Sequence, residues 1–156
     1  MDAIQLLKKD HKEVKALLKE FDHLRGRAKQ KQHSVVMQIC AALTIHAQIE
    51  EELVYPVFKE LRSQDIKDLV REAAEEHQVA KTLIGELMAL SPDAEQYEAK
   101  TTVLGEYVQH HVKEEEQELF LKAQKQLSAK RLAELGEKIA ARKQALGEPD
   151  PKQQAA

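Results

Sequence analysis

The chain predicts an all-α fold: an up-down-up-down four-helix bundle with an additional short C-terminal helix. Three observations carry that reading. The 156 residues are rich in Leu, Ala, Glu and Lys, with 5 Gly, 4 Pro, 4% aromatics and no Trp, a composition that suits helices better than sheets. Apolar residues recur three and four apart in four long segments joined by short polar connections. The layout of the first two segments is repeated in the next two.

The first segment carries Ile4, Leu7, His11, Val14, Leu18 and Phe21 on one helical face. It should end near Gly26, and the basic run 25–31 reads as a solvated connection. The second carries Val36, Ile39, Leu43, His46, Glu50, Leu53 and Val57. Pro56 lies inside it and predicts a kink beyond the Glu50 turn. Asp65 is the expected N-cap of the third segment, which carries Ile66, Val70, Ala73, His77, Ala80, Ile84 and Leu87. Ser91-Pro92 reads as the N-cap and first-turn pair of the fourth, with Tyr97, Thr101, Leu104, Val108, His111, Glu115 and Leu119. Ser128 should cap a fifth helix through Leu132, Leu135, Ile139 and Leu146. The organisation expected is a bundle over 1–126, an accessory helix over 127–147 and a disordered tail over 148–156.

Formal net charge is -3, too mild to point to nucleic acid or an anionic membrane. No stretch has the apolar length of a membrane span, and Met1-Asp2-Ala3-Ile4 does not open a signal peptide. Cys40 is the single cysteine, so no internal disulfide forms and a reducing, cytoplasmic setting is expected. It lies beside the core stripe and reads as packing.

Four histidines interrupt these stripes: His11, His46, His77 and His111. Glu50 follows His46 by four residues and Glu115 follows His111 by four, which puts each pair on one helical face. A lone histidine on such a stripe is ordinarily a hydrogen-bonded core residue. Here each group lies roughly a dozen residues from a connection, so antiparallel neighbours bring all six to one level. Buried imidazoles and carboxylates need partners, and the stripes hold no basic residue at these heights.

The repeat sharpens the set. His46 is followed by Glu50, Glu51 and, nine residues on, Tyr55; His111 is followed by Glu115, Glu116 and, nine on, Phe120. His110–Glu114 has the same spacing and remains an alternative, but the aromatic offset favours His111–Glu115. Glu51, Glu52, Glu116 and Glu118 read as a charged face, although Glu51 or Glu52 could support a ligating imidazole. His23 and His33 should be solvated. Tyr55, Tyr97 and Tyr107 read as core fillers.

Four imidazoles and two carboxylates exceed what one tetrahedral zinc needs. They suit two first-row ions sharing bridging carboxylates inside a bundle. A bridging oxide or hydroxide would leave an open position on each ion for a small molecule. Nitrogen and oxygen ligands without thiolate fit iron or manganese, with zinc as a substitute.

Asp10-His11, His46 to Glu50-Glu51 with Val54-Tyr55-Pro56, Glu76-His77, and His111 to Glu115-Glu116 with Leu119-Phe120 resemble the hemerythrin-like (HHE cation-binding) family. The resemblance runs from about residue 2 to 125. It implies a non-haem di-iron centre, oxo- or hydroxo-bridged, held by His11, His46, Glu50, His77, His111 and Glu115. The roles it implies are binding or reaction with O2, peroxide or nitric oxide, peroxide decomposition if the chain is an enzyme, or iron and oxygen sensing without turnover. One departure stands out. Oxygen-carrying members place two histidines four apart on the third helix, whereas Ala73 and Lys81 flank His77 here. Four histidines rather than five weaken the case for a stable oxygen carrier. A metal-free helical module is the remaining reading, and the C-terminal helix could serve a protein partner or a homodimer.

Overall fold

A computed structural model describes residues 1–147; the tail expected at 148–156 lies outside the described residues. Every regular element among them is helical. They are α1 (Ala3–His23), α2 (Lys29–Ile49), a π-helical segment (Glu50–Val54), α3 (Tyr55–Lys59), α4 (Gln64–Ala89), α5 (Tyr97–Glu114), a second π segment (Glu115–Leu119), α6 (Phe120–Gln126) and α7 (Ala129–Ala145). Residues 29–59 and 97–126 each run on as one rod, so four rods form the bundle. α1 packs on α2, α2 on α4, α4 on α5 and α5 back on α1.

Local chemistry sets the ends. Asp2 and Gln5 form a reciprocal capping box, with both bonds at 2.9 Å, which satisfies two orphan donors at the start of α1. The first connection is shorter than the basic run suggests. Gly26 (φ 69°) and Ala28 (φ 49°) turn the chain in the left-handed region, and the Gly26 N–H donates to Glu98. Lys29, Gln30 and Lys31 therefore already form the first turn of α2. Ser63 rather than Asp65 caps α4, accepting from the Ile66 N–H. Ser91 accepts from the Asp93 N–H inside a turn, and α5 begins only at Tyr97. Ser128 caps α7 as expected, and Gly147 (φ 96°) follows its end.

The core is split. Ile4, Leu7, Ile49, Phe58, Ile66, Val70, Leu119 and Phe120 form one apolar cluster. Val14, Leu18, Phe21, Val36, Ile39, Leu87, Tyr97 and Leu104 form the other. Cys40 is buried in the second, where desolvation raises its thiol pKa to about 11, so it packs as an inert side chain. Between the two clusters lies a polar layer, closed to water from both ends.

α7 completes the first cluster with Leu132, Leu135 and Ile139. It comes so close to the start of α1 that a Cβ on Gly136 would stand 2.7 Å from the Met1 carbonyl oxygen. Only glycine permits that approach.

The kink expected at Pro56 is instead a π segment. The Tyr55 N–H donates to the Glu50 carbonyl, five residues back. Pro56 has no N–H and its ring crowds the preceding turn, yet proline cannot be the general cause. The Phe120 N–H donates in the same way to Glu115, with no proline nearby. In a regular α-helix a residue nine on stands about half a turn round. The extra residue in each π segment brings Tyr55 and Phe120 back to within roughly 80° of their histidines.

Candidate metal centre

Helical spacing and rod height together bring all six predicted side chains into the polar layer, each less than a tenth exposed. His46 Nε2 lies 2.9 Å from Glu50 and His111 Nε2 lies 2.9 Å from Glu115, as the four-residue spacing requires. Across the rods, His11 and His46 meet at 3.2 Å between their Nε2 atoms. His77 and His111 meet at 3.2 Å in the same way. Glu115 spans the two pairs: Oε1 faces His111, and Oε2 stands 3.3 Å from His11. Glu50 does likewise, with Oε1 2.9 Å from His46 and 3.3 Å from His77.

These separations test the fit of a metal. Ligands about 2.1 Å from a first-row ion, at right angles, stand about 3 Å apart. The layer has that spacing, in two groups joined by two carboxylates. Both Glu50 oxygens and Glu115 Oε2 are fully buried without a hydrogen-bond partner. The 2.9 Å approach of His46 to Glu50 is thus close without being aligned as a hydrogen bond. Such atoms aim at a common third point, and an orphaned buried carboxylate is costly without one.

Electrostatics agree. Burial raises the Glu50 pKa, but His46, His111 and His77 outweigh it and hold the carboxyl well below its ordinary range. Burial lowers the His46 pKa, yet Glu50 and Asp10 prevail and raise it to about 10. The same opposition, with Glu115, Glu50 and Glu76 prevailing, takes His111 to about 12. The metal-free layer therefore balances its carboxylates with protons, which a cation would displace.

Each imidazole also has a carboxylate on its Nδ1 side. Asp10 Oδ2 is 2.8 Å from His46 Nδ1, and Glu76 Oε1 is 3.3 Å from His111 Nδ1. Glu51 stands 3.6 Å from His77 Nδ1 and Glu116 stands 3.8 Å from His11 Nδ1. The pattern is symmetric: the residue before the odd-rod histidine supports the even-rod one, and the residue after each glutamate faces the odd-rod one. Asp10 and Glu76 thereby orient the His46 and His111 rings, whereas His11 Nδ1 and His77 Nδ1 are buried without a hydrogen-bond partner.

A model of the hemerythrin HHE cation-binding domain matches residues 2–123. The chain belongs to that family. It is a hemerythrin-like, metal-binding protein with a His/Glu cluster suited to a metal ion. A crystal structure of an HHE cation-binding domain protein from Mycobacterium kansasii shares the fold, with a TM-score of 0.79 and 24% identity over 94% of this chain and 87% of that one. A DNA nickase of Nostoc sp. (strain PCC 7120) is 30% identical over 130 residues, 83% of this chain. The chain spans about a third of that relative, 35% of its length.

Several expectations for the HHE domain change. Glu116, read as a charged face, turns towards His11, while Glu51 faces His77, a place the sequence left open to it. His110 is 70% exposed and pairs with Glu114 at the surface, so His111–Glu115 is the inward pair. His33 is half-buried, its Nδ1 2.9 Å from the Tyr97 hydroxyl, rather than solvated. Tyr107 is exposed rather than a core filler. Tyr55 does more than fill space: its hydroxyl lies 2.5 Å from Glu115 Oε1 and donates to it, and its ring stacks on His77. Burial, then Glu115 and Glu50, push its pKa well above 10, so it keeps that proton. Phe120 stacks on His11 at the matching place without a hydroxyl. A basic residue also reaches this level: the four core stripes hold none, but Lys143 comes in from α7 and is buried beside Asp10.

Proposed function

We propose that this HHE domain holds two non-haem iron ions between His11, His46, Glu50, His77, His111 and Glu115, and presents them to a small neutral oxidant: O2, peroxide or nitric oxide. Manganese or zinc could occupy the same ligands. Bound there, the ions supply redox chemistry and an open position. The protein supplies the rest. Glu50 and Glu115 tie the two positions together, and Asp10 and Glu76 hold the His46 and His111 rings with Nε2 inward.

The observation that carries the oxidant reading is a cavity of about 160 Å³ against the layer. Its lining runs from the exposed Tyr107 and Lys81 to all four histidines, past Val14, Leu43, Ile84 and Val108. An apolar cavity of about 150 Å³ stays dry and accepts benzene or xenon, so a space of this kind favours a neutral guest over an ion. Oxygen carriers place a further histidine four residues from the one on the third helix, whereas Ala73 and Lys81 stand four to either side of His77 here, and Lys81 donates to Glu51 at 2.7 Å. That leaves a ligand position free and favours reaction or sensing over oxygen carriage.

The name of the Nostoc relative raises DNA cleavage as another reading. A net charge of -3 supplies no general footprint for a phosphate backbone, and the oxidant reading is preferred. No described helix is long and apolar enough to cross a membrane; a cytoplasmic location is proposed with the oxidant role. Metal quantitation after growth with added iron, with absorbance spectra before and after peroxide, tests it. Two irons per chain and visible bands altered by peroxide are expected, and oxygen release would mark turnover rather than sensing. A colourless, iron-loaded protein indifferent to peroxide and nitric oxide would overturn it.

A further inference from the structure

Lys143 is nine-tenths buried at the end of α7, and its Nζ donates to Asp10 Oδ1. The other Asp10 oxygen meets His46 Nδ1 at 2.8 Å. Both oxygens of that carboxylate are therefore engaged, one by a cation and one by an imidazole. The family match ends at residue 123, so the cation comes from a helix beyond the segment that defines the HHE domain. Glu76, at the corresponding place in the other half, has exposed His110 at 3.8 Å on its second oxygen. The two halves differ in what stands behind the supporting carboxylate.

A buried lysine is costly unless paired, and the place it occupies is fixed from both sides. Gly136 lets α7 press on the backbone of Met1–Ala3, while Leu132, Leu135 and Ile139 lock it into the core. A cation so held fixes the rotamer of Asp10. Asp10 in turn holds the His46 proton on Nδ1, leaving the Nε2 lone pair for the layer.

We propose that Lys143 is a positioning residue of the metal centre: by holding Asp10 against His46 it makes metal retention on the His11–His46 side depend on α7. The inference rests on the di-metal reading. The dependence runs through the Lys143 contact itself, so that losing it loosens the His11–His46 pair before the other.

The test uses the full chain, metal-loaded, with K143M and L132A compared. Leu132 anchors α7 three turns from Lys143, so its loss weakens the helix without touching Asp10. K143M should release metal to a chelator about tenfold faster, the lower end for partners of metal-bound histidine. L132A should lower the Tm of the metal-free protein yet keep the release rate within about twofold of wild type. Equal rates for K143M and wild type overturn the proposal, as does equal acceleration by L132A. Nitrogen-15 spectra of the metal-free protein give a separate readout. K143M should move the ring signals of His46 and leave those of His111 in place; unmoved His46 signals overturn the proposal. A wild-type chain that takes up no metal defeats the di-metal reading alone, and the ring signals still decide the role of Lys143.

Discussion

Asp10 supports His46 at 2.8 Å with a buried lysine behind it, whereas Glu76 supports His111 at 3.3 Å with an exposed histidine behind it. Tyr55 gives its hydroxyl to Glu115, whereas Phe120 stacks on His11 without one. The α1–α2 and α4–α5 halves thus place the same ligands by the same spacings and finish them with different neighbours. Placement follows from the helical repeat. Inequivalence comes from residues that the repeat does not copy, above all from α7, which packs on α1 and α2. Two ions in this layer would occupy similar ligand sets in dissimilar surroundings.

Removing a shared ligand should abolish the difference by emptying both positions. Glu115→Ala takes away a carboxylate that faces both histidine pairs, and bound metal should fall from two ions per chain to none in metal analysis. Retention of one ion would show that the halves bind independently. Changing the supporting carboxylates should keep metal but expose the inequivalence. Asp10→Asn and Glu76→Gln should each weaken binding by about 10–100-fold in a competition titration, with the larger loss for Asp10, whose contact is shorter. Equal losses would erase the distinction drawn here.

The smallest effect is that of pH. His46 and His111 have folded pKa values raised to about 10 and about 12. Their contribution to the metal-free fold is complete below the unfolded value, about 6.5, and is lost as pH rises through the folded ones. Bound metal requires both rings neutral. The Tm gap between loaded and metal-free protein should therefore widen from about pH 6 to about pH 9, with proton release on metal uptake at neutral pH. A gap that narrows would place the protons elsewhere.

The rods and the polar layer were legible because both rest on periodicity. Stripes such as Ile66, Val70, Ala73 and His77 report their own helix, and equal distances to the connections report height. The aromatic nine residues after each histidine was legible as a repeat but not as geometry. Nine is the wrong spacing for one face of an α-helix, and only the π segments explain it. Turn chemistry was less readable, since Ser63 and Asp65 are both good caps and local sequence does not choose between them. Lys143 was hidden for another reason. Its partner lies 133 residues away, and in sequence it resembles its neighbour Arg142, which pairs instead with half-exposed Glu52.

The two π segments can also be understood as phase shifters. Each inserts one residue at the floor of the polar layer, so the rod below turns about 100° relative to an unbroken α-helix. Above the floor, the rods are in phase with one apolar cluster; below it, with the other. A single-residue deletion between Glu115 and Phe120 would leave the ligands in place and a straighter helix behind. Forcing the undeleted sequence into an unbroken α-helix would instead rotate Phe120 and Ala123 by about 100°, out of the lower core. The irregular turn is what lets one rod serve two cores and the layer between them.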